Sequence, residues 1–257
     1  MTASKTIIFI HGMYMNGLSW EGWLRRGADR GYVGQAPSWP YHDGVPASLR
    51  ANPNAALGAL RFGEVVDHFK ALIDVLPEHP VIIGHSVGGL VVQKLVNDGY
   101  AAAGVAVSPA PPRGIVAANL HFLRANFPHI NPFAGNKPVI MTPKRFHYTF
   151  CNTMSIEASD EAFERYVVPE SRNVPRSTLT NEASIDFAVP HAPLLLISAA
   201  YDHLTPLPLI EKNVRAYGKA GNPVEFKKFA NRSHFICNQP GWEEVADFAF
   251  DWLAELP

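Results

Sequence analysis

Apolar residues along this chain fall into two spacings. Short β-branched and aromatic runs occur at Thr6 to Ile10 (TIIFI), Val81 to Ile83, Ala103 to Val107 (AGVAV) and Leu194 to Ser198 (LLLIS), with a mixed run at Val224 to Phe229. Continuous apolar runs of this length are what a strand needs when both of its faces are covered. From Leu60 to Leu76, by contrast, Leu60, Val65, Phe69, Leu72, Ile73 and Leu76 recur at helical spacing, with Glu64, Asp67, Lys70 and Asp74 between them. That pattern predicts an amphipathic helix, ended by Pro77. Gly88 to Val96 (GGLVVQKLV) reads as a largely buried helix, and Pro208 to Tyr217 and Trp242 to Leu253 are the clearest later ones. Residues 34 to 40 (GQAPSWP) predict one more short strand. Strands alternating with helices imply the α/β class, a doubly wound, mostly parallel sheet.

One stretch breaks the alternation. From about Pro111 to Pro190 the chain is rich in Pro, Asn, Phe and His and shows no clear strand pattern. It reads as an insertion, so the expected organisation is a core of residues 1–110 and 191–257 with a cap or lid at 111–190. The first half of the insertion, to Ile156, carries Arg113, Arg124, Lys137, Lys144 and Arg145 but no Asp or Glu.

Composition narrows the function classes. With 257 residues, 47% hydrophobic and 18% charged, the chain can bury a substantial core. A formal net charge of −1 provides no basic field, which argues against a nucleic-acid partner. No window approaches the eighteen or so apolar residues of a membrane span. The N-terminal apolar run is too short for a signal-peptide core and lacks a cleavage site, so a cytoplasmic location is expected. Cys151 and Cys237 are too few and too far apart for a disulfide framework or a metal knuckle, and unpaired thiols are expected. Nothing resembles a metal or nucleotide motif, so no cofactor is called for.

The chemistry gathers at strand ends. PVIIGHSVGGL (80–90) runs from a strand through G-x-S-x-G into a helix. A side chain on such a turn projects beyond the carboxyl end of the sheet, where open α/β folds place their ligands. The turn is tight enough that Cβ atoms at positions 84 and 88 would collide, which accounts for both glycines. Val87 opens the helix, so its N–H is free and points in front of the Ser86 hydroxyl. A serine needs a base to become a nucleophile, and the base needs a carboxylate to orient it. Asp202 follows the strand LLLIS, in AAYDHLTP, and His234 follows VEFKKFA, in NRSHF. Serine, acid and histidine therefore sit in that order beyond the carboxyl ends of strands.

Through HG at 11–12, GHSVGG at 84–89, DHLTP at 202–206 and SH at 233–234, the chain resembles the α/β-hydrolase superfamily. The resemblance covers nearly all of it except 111–190, which would correspond to the family's variable cap. It implies Ser86, Asp202 and His234 as catalytic triad, and Met13, after His11-Gly12, as the second oxyanion-hole N–H beside Val87. The family's alternative acid site, after AGVAV, reads SPAPPRG and holds no carboxylate. The core begins at once with TIIFIHG, similar to small methylesterases and hydroxynitrile lyases.

These residues support several readings. The leading one is a serine hydrolase of a carboxylic ester or related acyl bond of a small to medium, largely apolar molecule. A lyase cleaving cyanohydrins with the same triad and a cap lysine, Lys137 or Lys144, is an alternative. A ligand-binding receptor that retains the triad is another. Tyr14, Phe122, Phe146 and Tyr148 are the substrate-pocket candidates, with Phe127, Phe133 and Phe150 either completing an apolar roof or holding the cap together. Trp20 and Trp23 have a core role at least as readily as a cleft role. His85 is expected to support the turn, His203 to face solvent or the cap, and His191 to be structural.

Overall fold

The computed structural model describes residues 4–116, 124–127 and 130–256. Six strands form one fully parallel sheet: β1 (Thr6–Ile10), β2 (Val33–Gln35), β3 (Val81–His85), β4 (Ala103–Val107), β5 (Leu194–Ala199) and β6 (Glu225–Phe229), in the order β2-β1-β3-β4-β5-β6. The chain leaves β1 toward β2 on one side and returns to β3 on the other. The sheet's switch point therefore falls between β1 and β3, the place where an open α/β sheet leaves a crevice beyond its strand ends.

Alternate strand residues feed two cores. Ile8, Ile10, Ile82, Ala106, Leu194 and Leu196 face α3 (Phe62–Ile73), α4 (Val87–Asn97) and α8 (Leu207–Lys219). Ile7, Phe9, Val81, Ile83, Val105, Val107, Leu195 and Ile197 face α1 (Glu21–Asp29) and α9 (Trp242–Ala254). The inner strands β1, β3, β4 and β5 are buried almost throughout, as their continuous apolar runs require. The two edges differ: β2 is three residues long, and β6 is largely open to solvent except at Phe229.

The periodic helix expected over 60–76 is α3, two residues in from one end and three from the other, because a 3₁₀ turn at Ala55–Ala59 leads into it. The short strand expected within 34–40 forms at Val33–Gln35, one residue earlier than expected, set by its pairing of Val33 with Thr6. Further helices lie at α2 (Pro46–Ala51) and, between β4 and β5, at α5 (Pro143–Thr149), α6 (Ile156–Tyr166) and α7 (Asn173–Ser177). The first two of these three are marked by caps: Thr142 accepts from the Arg145 N–H ahead of Pro143, and Ser155 accepts from the Ala158 N–H. Phe146, Phe163 and Val174 from these helices join the same apolar cluster as α3, α4 and α8.

Trp20 and Trp23 are core residues, buried against Phe9 and, for Trp23, Trp242 and Phe250. Cys151 and Cys237 are buried and unpaired. Among the described residues no helix is long and apolar enough to cross a membrane.

Phe250 is fully buried, its ring 6.0 Å from that of Trp23 and 5.7 Å from that of Tyr32, where Gly27 lets α1 and α9 close up. Phe250→Ala is expected to cost about 3–5 kcal/mol. A urea titration reads this as a fall in the unfolding midpoint at unchanged slope.

Candidate active site

The turn between β3 and α4 is built by close approach. A Cβ on Gly84 would lie 2.4 Å from the Gly88 carbonyl oxygen, and one on Gly88 would lie 2.3 Å from the Ile10 oxygen and 2.4 Å from the His11 oxygen. The two glycines thus clear different obstacles: Gly84 makes room for α4, and Gly88 lets α4 pass over the end of β1. Ser86 itself takes φ +57° and ψ −121°, a backbone conformation that side-chain-bearing residues rarely occupy. It is held there by its N–H on the Val107 carbonyl, 3.0 Å, and by its own carbonyl, which accepts from Leu90 and Ala110.

Asp202 and His234 meet beyond β5 and β6. His234 Nδ1 lies 2.6 Å from Asp202 Oδ2, and both side chains are fully buried. The carboxylate is saturated with donors. Oδ1 accepts from the Leu204 and Thr205 N–H groups, each at 2.8 Å, and Oδ2 also accepts from the Thr205 hydroxyl at 2.8 Å. Burial works against the ionised acid, but the neighbouring His234 and this set of hydrogen bonds outweigh it and hold the Asp202 pKa below the ordinary 3.8. The second nitrogen, His234 Nε2, is buried and has no hydrogen-bond partner among the described residues. His85, the neighbour of Ser86, lies beside that ring at 4.6 Å, and its Nε2 is 2.8 Å from the His234 carbonyl. Burial and the neighbouring His234 push its pKa down to about 3, so it stays neutral and ties the serine turn to the histidine loop.

The loop after β1 is fixed by a histidine of assignable tautomer. His11 Nε2 accepts from the Trp39 N–H at 2.9 Å, which leaves Nδ1 as the donor to the Gly12 carbonyl, also 2.9 Å. Burial and the nearby His42 keep its pKa well below 6.5, as a neutral donor–acceptor ring requires. The Gly12 carbonyl belongs to the same peptide unit as the Met13 N–H, so the imidazole orients that N–H. Neither the Met13 nor the Val87 N–H finds an intramolecular acceptor among the described residues.

Ser86, Val87, Met13 and Tyr14 line a cavity of about 720 Å³. Its other walls are mostly apolar, with Ile115, Ile130, Met141, Phe150, Ile185 and Leu204 among them. Arg113 is the charged residue on its lining; it is exposed and hydrogen-bonded to Asn181. Among the described residues no group of three or more His, Cys, Asp or Glu side chains is arranged to hold a metal ion.

The pocket candidates separate. Tyr14 lines the cavity, whereas Phe146 and Tyr148 do not. Phe146 is spent on the core, stacked on Phe150 and edge-on to Phe163 and Phe235. Tyr148, on another face of α5, packs against His203 and under Arg124. Phe122 lies outside the described residues. Phe150 contributes to the lining, and Phe127 and Phe133 are exposed. Lys137 and Lys144 are exposed and off the cavity. His203 faces the insertion, 2.8 Å from the Tyr148 carbonyl, and His191 packs on Tyr217. Sequence reasoning passed over Thr205, His42 and Glu170. Thr205 had a signal, standing three residues after an acid in a loop, the spacing at which a carboxylate receives local N–H groups. Glu170 had none, since its partners lie far away in the chain.

A family model described as "Alpha/beta hydrolase family" matches residues 7–248. No curated protein matches the chain. Solved structures with a similar fold include a monoacylglycerol lipase from Paleococcus ferrophilus, 19% identical, with 96% of this chain and 93% of that one covered and a TM-score of 0.70. Tomato Methylketone Synthase I complexed with 2-tridecanone is 14% identical, with 99% of each chain covered and a TM-score of 0.72. A methylesterase from Arabidopsis is 13% identical, with 98% of this chain and 99% of that one covered and a TM-score of 0.69. At such identities the likeness is one of fold.

A carboxyl group whose folded pKa is depressed stabilises the fold fully above its ordinary value and loses that contribution as pH falls through the folded one. Asp202→Asn is therefore expected to destabilise the protein most near neutral pH, with the difference from wild type narrowing below pH 3.8. Denaturant midpoints across an acid series measure it; a gap independent of pH would contradict the depressed value.

Proposed function

Because the chain belongs to the alpha/beta hydrolase family, we propose that it is a serine hydrolase acting on a carboxylic ester or related acyl bond of a small to medium, largely apolar molecule. The observation that carries this reading is the buried His234–Asp202 pair, with Ser86 opening onto the apolar cavity.

In this mechanism Ser86 Oγ attacks the carbonyl carbon while His234 Nε2, without a hydrogen-bond partner among the described residues, takes the hydroxyl proton. Asp202 holds the ring through Nδ1 and offsets the charge it acquires. The Met13 and Val87 N–H groups, which have no acceptor among the described residues, receive the developing oxyanion, a contribution typically worth about 2.7–4 kcal/mol per donor. His234 then passes the proton to the leaving alcohol, which departs and leaves an acyl-enzyme. Water, deprotonated by the same nitrogen, releases the acid. The chemistry needs no cofactor. Residues 111–190 act as a cap in this reading, since Pro111 to Val116, Ile130, Met141, Phe150, Pro175, Leu179 and Ile185 supply much of the cavity wall. A covered apolar cavity of this size admits one acyl chain and excludes a polymer. The lyase reading loses support, because neither Lys137 nor Lys144 reaches the cavity.

Hydrolysis of p-nitrophenyl esters from acetate to laurate, by wild type and Ser86→Ala side by side, tests the proposal. Turnover that drops by several orders of magnitude in the variant is expected, about 10⁶-fold where the serine acts as part of a unit. The chain-length optimum then sizes the cavity. Equal turnover in both proteins would sink the assignment.

A further inference from the structure

Glu170 is a fully buried carboxylate contributed by the segment between α6 and α7. Its Oε2 accepts from the Tyr14 N–H at 3.1 Å and lies 3.2 Å from His42 Nε2; its Oε1 accepts from the Ser171 N–H at 2.7 Å. His42 Nδ1 lies 3.0 Å from the Pro40 carbonyl, a group that can only accept. With a carboxyl group at one ring nitrogen and a carbonyl at the other, His42 is placed to donate from both nitrogens and to serve as the cation of a buried ion pair. Burial opposes that charge, but Glu170 outweighs it and raises the His42 pKa. The His11 ring, 5.4 Å from that of His42, is the neutral imidazole that orients the Met13 N–H.

The same segment grips Tyr14 twice. While Glu170 takes the Tyr14 N–H, the Val168 N–H donates to the Tyr14 carbonyl at 3.0 Å. Glu170 is anchored in turn by paired backbone bonds to Val139, both 2.8 Å. Tyr14 has φ +63°, a conformation that needs such restraint, and it follows directly on Met13.

We propose that Glu170, with His42 as its counter-cation, is a positioning residue that clamps the Met13–Tyr14 peptide and thereby keeps the Met13 N–H aimed at the oxyanion. The proposal rests on the serine-hydrolase reading given above. A carboxylate is required at this position because three donors converge on it. An amide of the same shape would set its NH₂ against the Ser171 N–H in one orientation and against the Tyr14 N–H in the other.

The test compares wild type, Ser86→Ala, Glu170→Gln and His42→Gln on p-nitrophenyl butyrate. It adds binding of an aryl trifluoromethyl ketone, which forms an oxyanion on the serine, and of the matching aryl alcohol, which only fills the cavity. Glu170→Gln is expected to lower kcat about ten- to hundredfold with KM little changed, as a small misplacement of a catalytic group does. Affinity for the trifluoromethyl ketone falls in parallel, and affinity for the alcohol is unchanged. Wild-type kcat in Glu170→Gln overturns the proposal, and so does an equal loss of alcohol affinity, which would mean that the residue only props up the cavity. Should Glu170→Gln fail to fold, His42→Gln, which keeps an N–H toward Glu170 but removes the charge, is expected to show the same split; full kcat there overturns the proposal. If wild type shows no Ser86-dependent turnover, the hydrolase reading itself fails and the clamp with it, a result visible before any clamp variant is assayed.

Discussion

The arrangement depends on how closely helix α4 lies against the ends of β1 and β3. Backbone carbonyls occupy the places where Cβ atoms of Gly84 and Gly88 would stand. This contact forces the chain through the rare backbone angles of Ser86, and it places the first N–H of α4 next to the serine instead of farther along the sheet. It also brings Gly12 against Ser86, where an added Cβ would meet the serine Cβ at 2.8 Å. Two loops separated by more than seventy residues thereby lie in close contact. The rest of the site has only to be delivered by β5 and β6, whose parallel pairing in register already brings their carboxyl ends together.

Much of this was legible in the sequence, and the parts that were share a cause. The inner strands are covered on both faces, so their apolar runs are unbroken; α3 is covered on one face, so its pattern has the helical period. Ser86 and Asp202 stand just past such runs and His234 past the mixed run of β6, so the strands marked their positions in the chain. The region between β4 and β5 defeats this logic. Its helices are short, and α5 and α7 run to only seven and five residues, too few turns for a period to show. Phe146 and Tyr148 illustrate the result: two aromatic residues two positions apart look alike in sequence, yet one fills the core and the other packs, tilted, against His203 at 4.8 Å. Glu170 is the extreme case, because its meaning comes from residues 128 and 156 positions away.

Four buried histidines around the crevice, His11, His42, His85 and His234, differ in the partners that their rings meet. His11 has one donor and one acceptor facing it, so it is neutral with its proton on Nδ1. His42 faces the Pro40 carbonyl and the Glu170 carboxyl group, and Glu170 raises its pKa. His85 gives its one bond to a backbone carbonyl and is kept neutral by burial. His234 has a carboxylate on one side and, among the described residues, a nitrogen without a hydrogen-bond partner on the other. One residue type thus meets four different sets of partners, and what separates the four rings lies in those partners.

The margins of the sheet have a consequence of a different kind. A strand edge presents unpaired amides that can recruit another chain. Here one margin is only three residues long, and the other carries Glu225, Lys227 and Lys228 in its five residues. An incoming strand would have little to pair with at the first and would have to strip water from charges at the second. Both margins therefore work against growth of the sheet by addition of further copies, so crowding many molecules together is not readily converted into a cross-β polymer.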